Sequence, residues 1–253
     1  LYAALNWNSK KNINVEAGSR INFHSAYDNH IVYNLNPSWL IHKKVKLFAN
    51  FSSAYRTPSL YQLYSEYGNR KLNPEAAVSA EAGVQYIAPG NKFTGRITGF
   101  SRRVKDVIIF FYDPSTFRAQ YINQDKQKDH GLEAEASFNI SSGTSIKAFY
   151  TYVTGEITTL SNGKDTTYFN LLRRPKSSAG ISIGHRISPR LYVSSNLSVF
   201  GKREDAYFDS NTFSTIQVTL NGYALWDIYA EYNFLKNRLK AFATLRNITG
   251  SRY

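Results

Sequence analysis

The chain of 253 residues contains no cysteine and no methionine. Without cysteine there is neither a disulfide framework nor a thiolate metal site. Without methionine there is no initiator, so the expectation is a processed chain or an internal piece. Acidic residues are scarce beside basic ones, 18 against 31, which leaves a formal net charge of +13. No stretch reaches the roughly 18 consecutive apolar residues of a transmembrane helix. No charged, then apolar, then small-residue leader opens the chain. Excess positive charge raises the question of a nucleic-acid partner. Such a partner calls for a basic stripe interleaved with stacking aromatics, and the sequence holds no such stripe and no nucleic-acid motif. No nucleic acid is therefore expected.

What is abundant is aromatic residues, 15% of the chain with 19 Tyr and 16 Phe, and they sit in segments of period two. "INVEAGSRINFH" sets Ile13, Val15, Ala17, Ile21 and Phe23 against Asn14, Glu16, Arg20, Asn22 and His24. "LYVSSNLSVF" sets Leu191, Val193, Leu197 and Val199 against Tyr192, Ser194, Asn196 and Ser198. "GLEAEASFNI" and "YALWDIYAEYNF" alternate in the same way. Alternation of this kind marks strands with one apolar and one polar face. It predicts about twelve strands, near 1–8, 13–25, 31–41, 44–55, 76–88, 92–112, 117–140, 144–159, 172–187, 190–202, 219–234 and 238–248. Many exceed the five or six residues usual in globular proteins.

The connections alternate in length. Short turns fall at 42–44, 89–92, 141–143, 188–190 and 235–238, and longer connections at 56–75, 112–124, 160–174 and 202–218. Trp39, Tyr86, Tyr232 and Phe234 stand just before short turns, and many lysines and arginines gather at the turns themselves. Long tilted strands, unequal connections and aromatic girdles predict an all-β fold, a transmembrane antiparallel up-and-down β-barrel. A soluble β-sandwich is the alternative, with shorter strands and connections more alike on its two sides.

The stretch "YRTPSLYQLYSEYGNRKLNPEAAVSAEAGVQY" resembles a motif of TonB-dependent outer-membrane receptors through Tyr55, Arg56, Pro58, Leu63, Tyr64, Gly68, Asn69, Leu72, Pro74, Glu75, Glu81 and Gly83. Its wording is closest to the cobalamin receptors of that family, and siderophore receptors share much of it. "DHGLEAEASF" and "LRNITGSRY" resemble two further strands of the family. The resemblance covers residues 50–253. It implies that the chain is the C-terminal portion of a larger barrel, with the plug domain, the first strands and the last strand absent. Alternation counted from the turn at 42–44 leads to a narrower expectation, at least one strand missing at each end.

The resemblance further implies an energy-coupled receptor for a scarce metal complex, cobalamin or a ferric siderophore, working with TonB through the absent plug. It implies no enzyme and no cofactor. The expected surroundings are outer-membrane lipid and lipopolysaccharide in a bacterial outer membrane. A capping surface lipoprotein stays open. Ligand-binding candidates on the long-connection side are Tyr55, Arg56, Tyr61, Tyr64, Tyr67, Arg70, Tyr121, Tyr168 and Tyr207, with Phe117, Phe169 and Phe208 beside them. Aromatics give large contact area at small entropy cost, and arginine suits anionic groups. The rival classes are a complete twelve-strand pore of the autotransporter kind and an outer-membrane lipid hydrolase. The hydrolase would need a Ser and His pair. Of the five histidines, His24, His30, His42, His130 and His185, none stands in a serine motif or at metal-site spacing.

Overall fold

The computed structural model describes residues 1–113, 116–161, 164–168, 173–212 and 214–252. The strands are β1 (Tyr2–Asn8), β2 (Ile13–Asn22), β3 (His30–Ile41), β4 (Val45–Arg56), β5 (Glu75–Ile87), β6 (Phe93–Asp113), β7 (Arg118–Ser141), β8 (Thr144–Ser161), β9 (Lys164–Tyr168), β10 (Ser177–Arg186), β11 (Leu191–Phe200), β12 (Arg203–Asp209), β13 (Ser214–Leu220), β14 (Tyr223–Phe234) and β15 (Leu239–Leu245). Twelve of them form one antiparallel meander in the order β1–β8, β10, β11, β14, β15, with β9 paired to β8 as a thirteenth. The strands β12 and β13 form a separate hairpin. The twelve expected strands are thus present.

The connections differ in part from expectation. The expected long loop at 112–124 is the tip of a hairpin, because β6 runs on to Asp113 and β7 begins at Arg118. Of the two readings of 117–124, strand and loop, the strand holds, and it pairs with the β-branched and aromatic run "VIIFFY" of the expected strand 92–112. The expected loops at 160–174 and 202–218 carry β9 and the β12–β13 hairpin. That hairpin is closed by Asp209, whose carboxylate accepts from the Asn211 N–H at 3.1 Å and the Thr212 hydroxyl at 2.8 Å. Such Asx turns compete with regular structure and end strands.

The register aligns the faces across the sheet. Ile13, Trp39, Leu47, Val84, Ile97, Ala134, Tyr150, Ala179, Val199 and Ala224 are successive cross-strand partners, so one face carries an unbroken apolar row over ten strands. On the other face Thr94, Ser137, Lys147, Ser182, Asn196 and Asp227 follow one another in the same manner. The apolar face is open. Trp39 is 48% exposed, Ile97 51% and Phe51 47%. Among the described residues only Leu72, Val107 and Ile108 are buried hydrophobic side chains. A soluble sandwich would enclose its apolar rows between two sheets. A single sheet with a wide apolar surface needs an apolar solvent on that side.

The polar face is packed by aromatic rings seated on glycines. Phe48 lies opposite Gly83, Phe100 opposite Gly131 and Phe149 opposite Gly180. A Cβ on any of these glycines would overlap the facing ring. Gly83 and Gly131 belong to the two motifs singled out in the sequence, and a Cβ there would meet both the facing ring and a backbone carbonyl, of Ile97 and Tyr152 respectively. Nearby, Asp129 is buried and bound by both the Nε (2.9 Å) and Nη2 of Arg102, and by Gln127 at 2.9 Å.

Candidate functional site

The longest connection among the described residues, 57–74, begins after Pro58 with a single helical turn, α1 (Leu60–Tyr64). A capping box starts it. Ser59 Oγ accepts from the Gln62 N–H at 3.2 Å, and Gln62 Oε1 accepts from the Ser59 N–H at 2.9 Å. The reciprocal pair satisfies donors that a helix start leaves free. Gly68 and Asn69 then turn the chain back. The Gly68 N–H donates to the Ser65 carbonyl at 2.8 Å, and the Asn69 N–H donates to the Gln62 carbonyl at 2.9 Å.

This folded loop is fastened to the β6–β7 hairpin. Past Lys105 the hairpin has no β5 partner, and before Lys126 it has no β8 partner. Its free part, 106–113 on the β6 side, therefore runs on for about 26 Å of strand, at ~3.3 Å per residue. Asn69 Nδ2 donates to the Tyr121 carbonyl at 3.0 Å, and the Tyr121 N–H donates to the Tyr67 carbonyl at 3.0 Å. Asn123 clamps three strands of chain. Its Oδ1 accepts from the Asn73 N–H at 2.8 Å, while its Nδ2 donates to the carbonyls of Asn73 and Asp106 at 2.9 and 2.7 Å. Leu72 is the most buried large side chain, 2% exposed. Ile108 is buried too, on the hairpin face that its cross-strand partner Asn123 turns toward the loop.

Several predicted residues meet here. Tyr67, Phe110, Tyr121 and Tyr61 form a chain of edge-on rings with centroids 5.4, 5.5 and 6.2 Å apart. The Arg70 guanidinium stands 5.1 Å from the Tyr64 ring centroid, a cation–π geometry. Tyr61 and Tyr64 remain 60% and 62% exposed. The Glu66 carboxylate beside Tyr67 pushes its phenol above the ordinary tyrosine range, so the ring carries no charge at neutral pH. Arg56 is engaged otherwise. Its Nε donates to Glu75 Oε2 at 2.5 Å, and Glu75 Oε1 accepts from the Ile108 N–H at 2.8 Å. That pair closes the loop's two ends together.

Tyr55 stands apart from the ring chain. It stacks on His30 at 3.9 Å and donates to the Tyr27 carbonyl at 3.3 Å, tying β4 to the connection 23–29. Tyr207 lies on β12 and is half exposed. Phe117 is exposed at the hairpin tip. Phe169 and the side chains of Tyr168 and Phe208 lie outside the described residues. Sequence reasoning missed Phe110, Asn123 and the anchoring role of Leu72. Phe110 lay hidden in an apolar strand run, and Asn123 acts on Asn73, fifty positions away, and on Asp106, seventeen away. Among the described residues no three His, Asp or Glu side chains gather as a metal site.

A family model described as TonB dependent receptor-like, beta-barrel, matches residues 1–248. The chain belongs to that family. Barrels of the TonB-dependent receptor family are outer-membrane proteins, and the family is one of receptors and transporters, not enzymes. The fold recurs in solved structures of low identity. A mutant of the ferric enterobactin receptor PfeA from Pseudomonas aeruginosa superposes with a TM-score of 0.80 at 19% identity, covering 98% of this chain and 39% of that one. The FrpB iron transporter from Neisseria meningitidis gives 0.78 at 18% identity, covering 99% and 40%. The copper transporter OprC gives 0.77 at 17% identity, covering 100% and 41%. The TonB-dependent barrel segment described above therefore spans about two fifths of the structures it matches. Among the described residues no helix is long and apolar enough to cross a membrane, and the strands, with their continuous apolar row, are the crossing elements of this family.

Proposed function

We propose that the chain is the C-terminal portion of the barrel of an outer-membrane, energy-coupled receptor that takes up a metal complex, a ferric siderophore or cobalamin. The observation that carries this reading is the loop 57–74. It is not a slack connection but a capped and hydrogen-bonded platform, built on a projecting hairpin and presenting Tyr61, Tyr64 and Arg70 to solvent. Rigid aromatic surface beside a fixed guanidinium suits a large, planar-faceted, anionic complex. Ferric siderophores are such ligands, and the matched structures named for enterobactin and iron favour them over cobalamin. The platform lies at the barrel mouth on the cell-surface side, next to lipopolysaccharide, and TonB acts through a plug carried elsewhere in the receptor. Growth of a deletion strain tests the reading. The strain should fail on a limiting ferric siderophore or on limiting cobalamin, and regain growth with the receptor restored. Normal growth on both would overturn it.

A further inference from the structure

Most of the excess of positive over negative charge lies on one rim. The connections 9–12, 42–44, 88–92, 142–143, 187–190 and 235–238 all lie at the same end of the meander, because successive strands run antiparallel. They hold Lys10, Lys11, Lys43, Lys44, Lys92, Arg190, Lys236 and Arg238, and no acidic residue. The rest of the chain holds 23 cations and 18 anions, so the rim accounts for most of the imbalance. All eight side chains are exposed. None has a carboxylate within 4.0 Å among the described residues, although Lys240, just inside the rim, is paired with Glu231.

Two of these lysines sit where the backbone disfavours them. His42 and Lys43 have φ of 49° and 58°, and Leu235 and Lys236 have φ of 47° and 56°. Positive φ at two successive positions of a tight turn favours Asn or Gly, and a bulky side chain there costs about 1–3 kcal/mol. Turn formation therefore does not explain the lysines. Their position does suggest a partner. Immediately inside the rim, Trp39, Tyr86, Phe93, Phe138, Tyr232 and Phe234 form an aromatic belt at the end of the apolar face, with Phe93 and Phe138 4.5 Å apart. Aromatics at that level mark a membrane–water boundary.

We infer that the short-turn rim is a docking collar for anionic phospholipid headgroups, its cations binding lipid phosphates of the leaflet that meets that end of the barrel. A protein partner would engage a patch. These cations are instead spread over five of the six turns, at one level, next to the aromatic belt, which is the distribution a lipid surface meets. Each Lys or Arg near such a surface attracts anionic lipid. The inference rests on the membrane-embedded reading of the barrel, and the test separates the two.

The full-length receptor is reconstituted in vesicles of phosphatidylcholine, with brominated phosphatidylcholine or brominated phosphatidylglycerol titrated in. Tryptophan quenching is read as the fraction lost on Trp39→Phe, since Trp39 lies three residues from the turn 42–44 and is half exposed on the apolar face. The expected result is a preference for phosphatidylglycerol of about threefold or more, falling toward unity in 0.5 M salt. The same loss is expected in the variant K10Q/K11Q/K43N/K44Q/K92Q/R190Q/K236N/R238Q. Asn at 43 and 236 suits the positive φ, so assembly should hold. Should that variant fail to assemble, K43N/K44Q and K236N/R238Q each lower the preference in part. Exchanging Lys and Arg at all eight positions should preserve it. Quenching by both brominated lipids with no preference in the wild type would overturn the collar while leaving the membrane reading intact. No quenching by either would overturn the membrane reading itself.

Discussion

Replacing Leu72 by Ala is the sharpest probe of how the loop 57–74 is held. Leu72 is 2% exposed, one of three buried hydrophobic side chains among the described residues. Truncating a buried leucine to alanine costs about 2–5 kcal/mol, the spread reflecting how far the site collapses. The loop is packed on one hairpin and exposed beyond it, so the lower half of that range applies, about 2–3.5 kcal/mol. The strands under it keep their own ladders. The cost therefore falls on local opening of the loop and not on the sheet. At about 1.4 kcal/mol per tenfold, protection from amide exchange should drop roughly 30- to 300-fold. The drop should appear at the N–H groups of Gly68, Asn69, Asn73 and Tyr121, which the loop contacts satisfy. Amides of the β4–β5 and β5–β6 ladders should keep wild-type rates. Unchanged exchange in the loop, or an equal loss across the sheet, would refute the picture of a separately docked platform.

Other perturbations follow from the same contacts. Arg at Val193 or Leu197 on the apolar face should destabilise by roughly 2–4 kcal/mol near mid-membrane, whereas Arg at Ser194 should be tolerated; equal effects in an unfolding titration would mean that the strand does not face lipid. Glu75→Ala should cost more than Arg56→Ala, about 1–3 kcal/mol against under about 1, because it strands the Ile108 N–H, whereas Arg56 is 60% exposed; equal shifts in denaturant midpoint would contradict this. Asp209 is held below the ordinary carboxylate range by the Asn211 N–H and the Thr212 hydroxyl. Its folded pKa is depressed, so its contribution to the β12–β13 hairpin is present above the unfolded pKa and is lost as pH falls through the folded value. An NMR titration of Asp209 should show that low midpoint, and an unshifted one would remove the turn's role. Gly180→Ala should disrupt the β8–β10 pair, and adding Phe149→Ala should recover part of the loss, as read by heat-modified gel mobility, because the only atoms a Cβ at Gly180 would meet closely belong to that ring; no recovery would mean that the ring and glycine do not interact.

Much of the sheet was legible because alternation is local. The segments around Leu191–Phe200 and Tyr223–Phe234 declare their faces residue by residue, and the pairing of these two strands follows from them. The loops were less legible for a physical reason. The strands β9, β12 and β13 lie inside segments read as loops, because short hairpins such as β12–β13 depend on a local turn at Asp209 and not on a long alternating run. The role of Asn123 rests on carbonyls at Asn73 and Asp106, and no period or motif connects those positions. The tyrosines of 55–67 were visible as a group. Their division into Tyr55, which locks onto His30, and Tyr61, Tyr64 and Tyr67, which line the platform, needed the geometry.

The central claim is that the platform touches the transported complex, and one binding measurement tests it. In the full-length receptor, residues 61–70 are replaced by a Gly/Ser linker of equal length, and the Kd is measured for the metal complex that the growth assay identifies. The flanking strands β4 and β5 pair along their whole length from Val45–Tyr86 to Arg56–Glu75, so the barrel should still assemble. The Kd should rise at least about tenfold, a loss of roughly 1.4 kcal/mol. An unchanged Kd in a correctly assembled barrel would contradict the account and reduce the loop to a structural clasp.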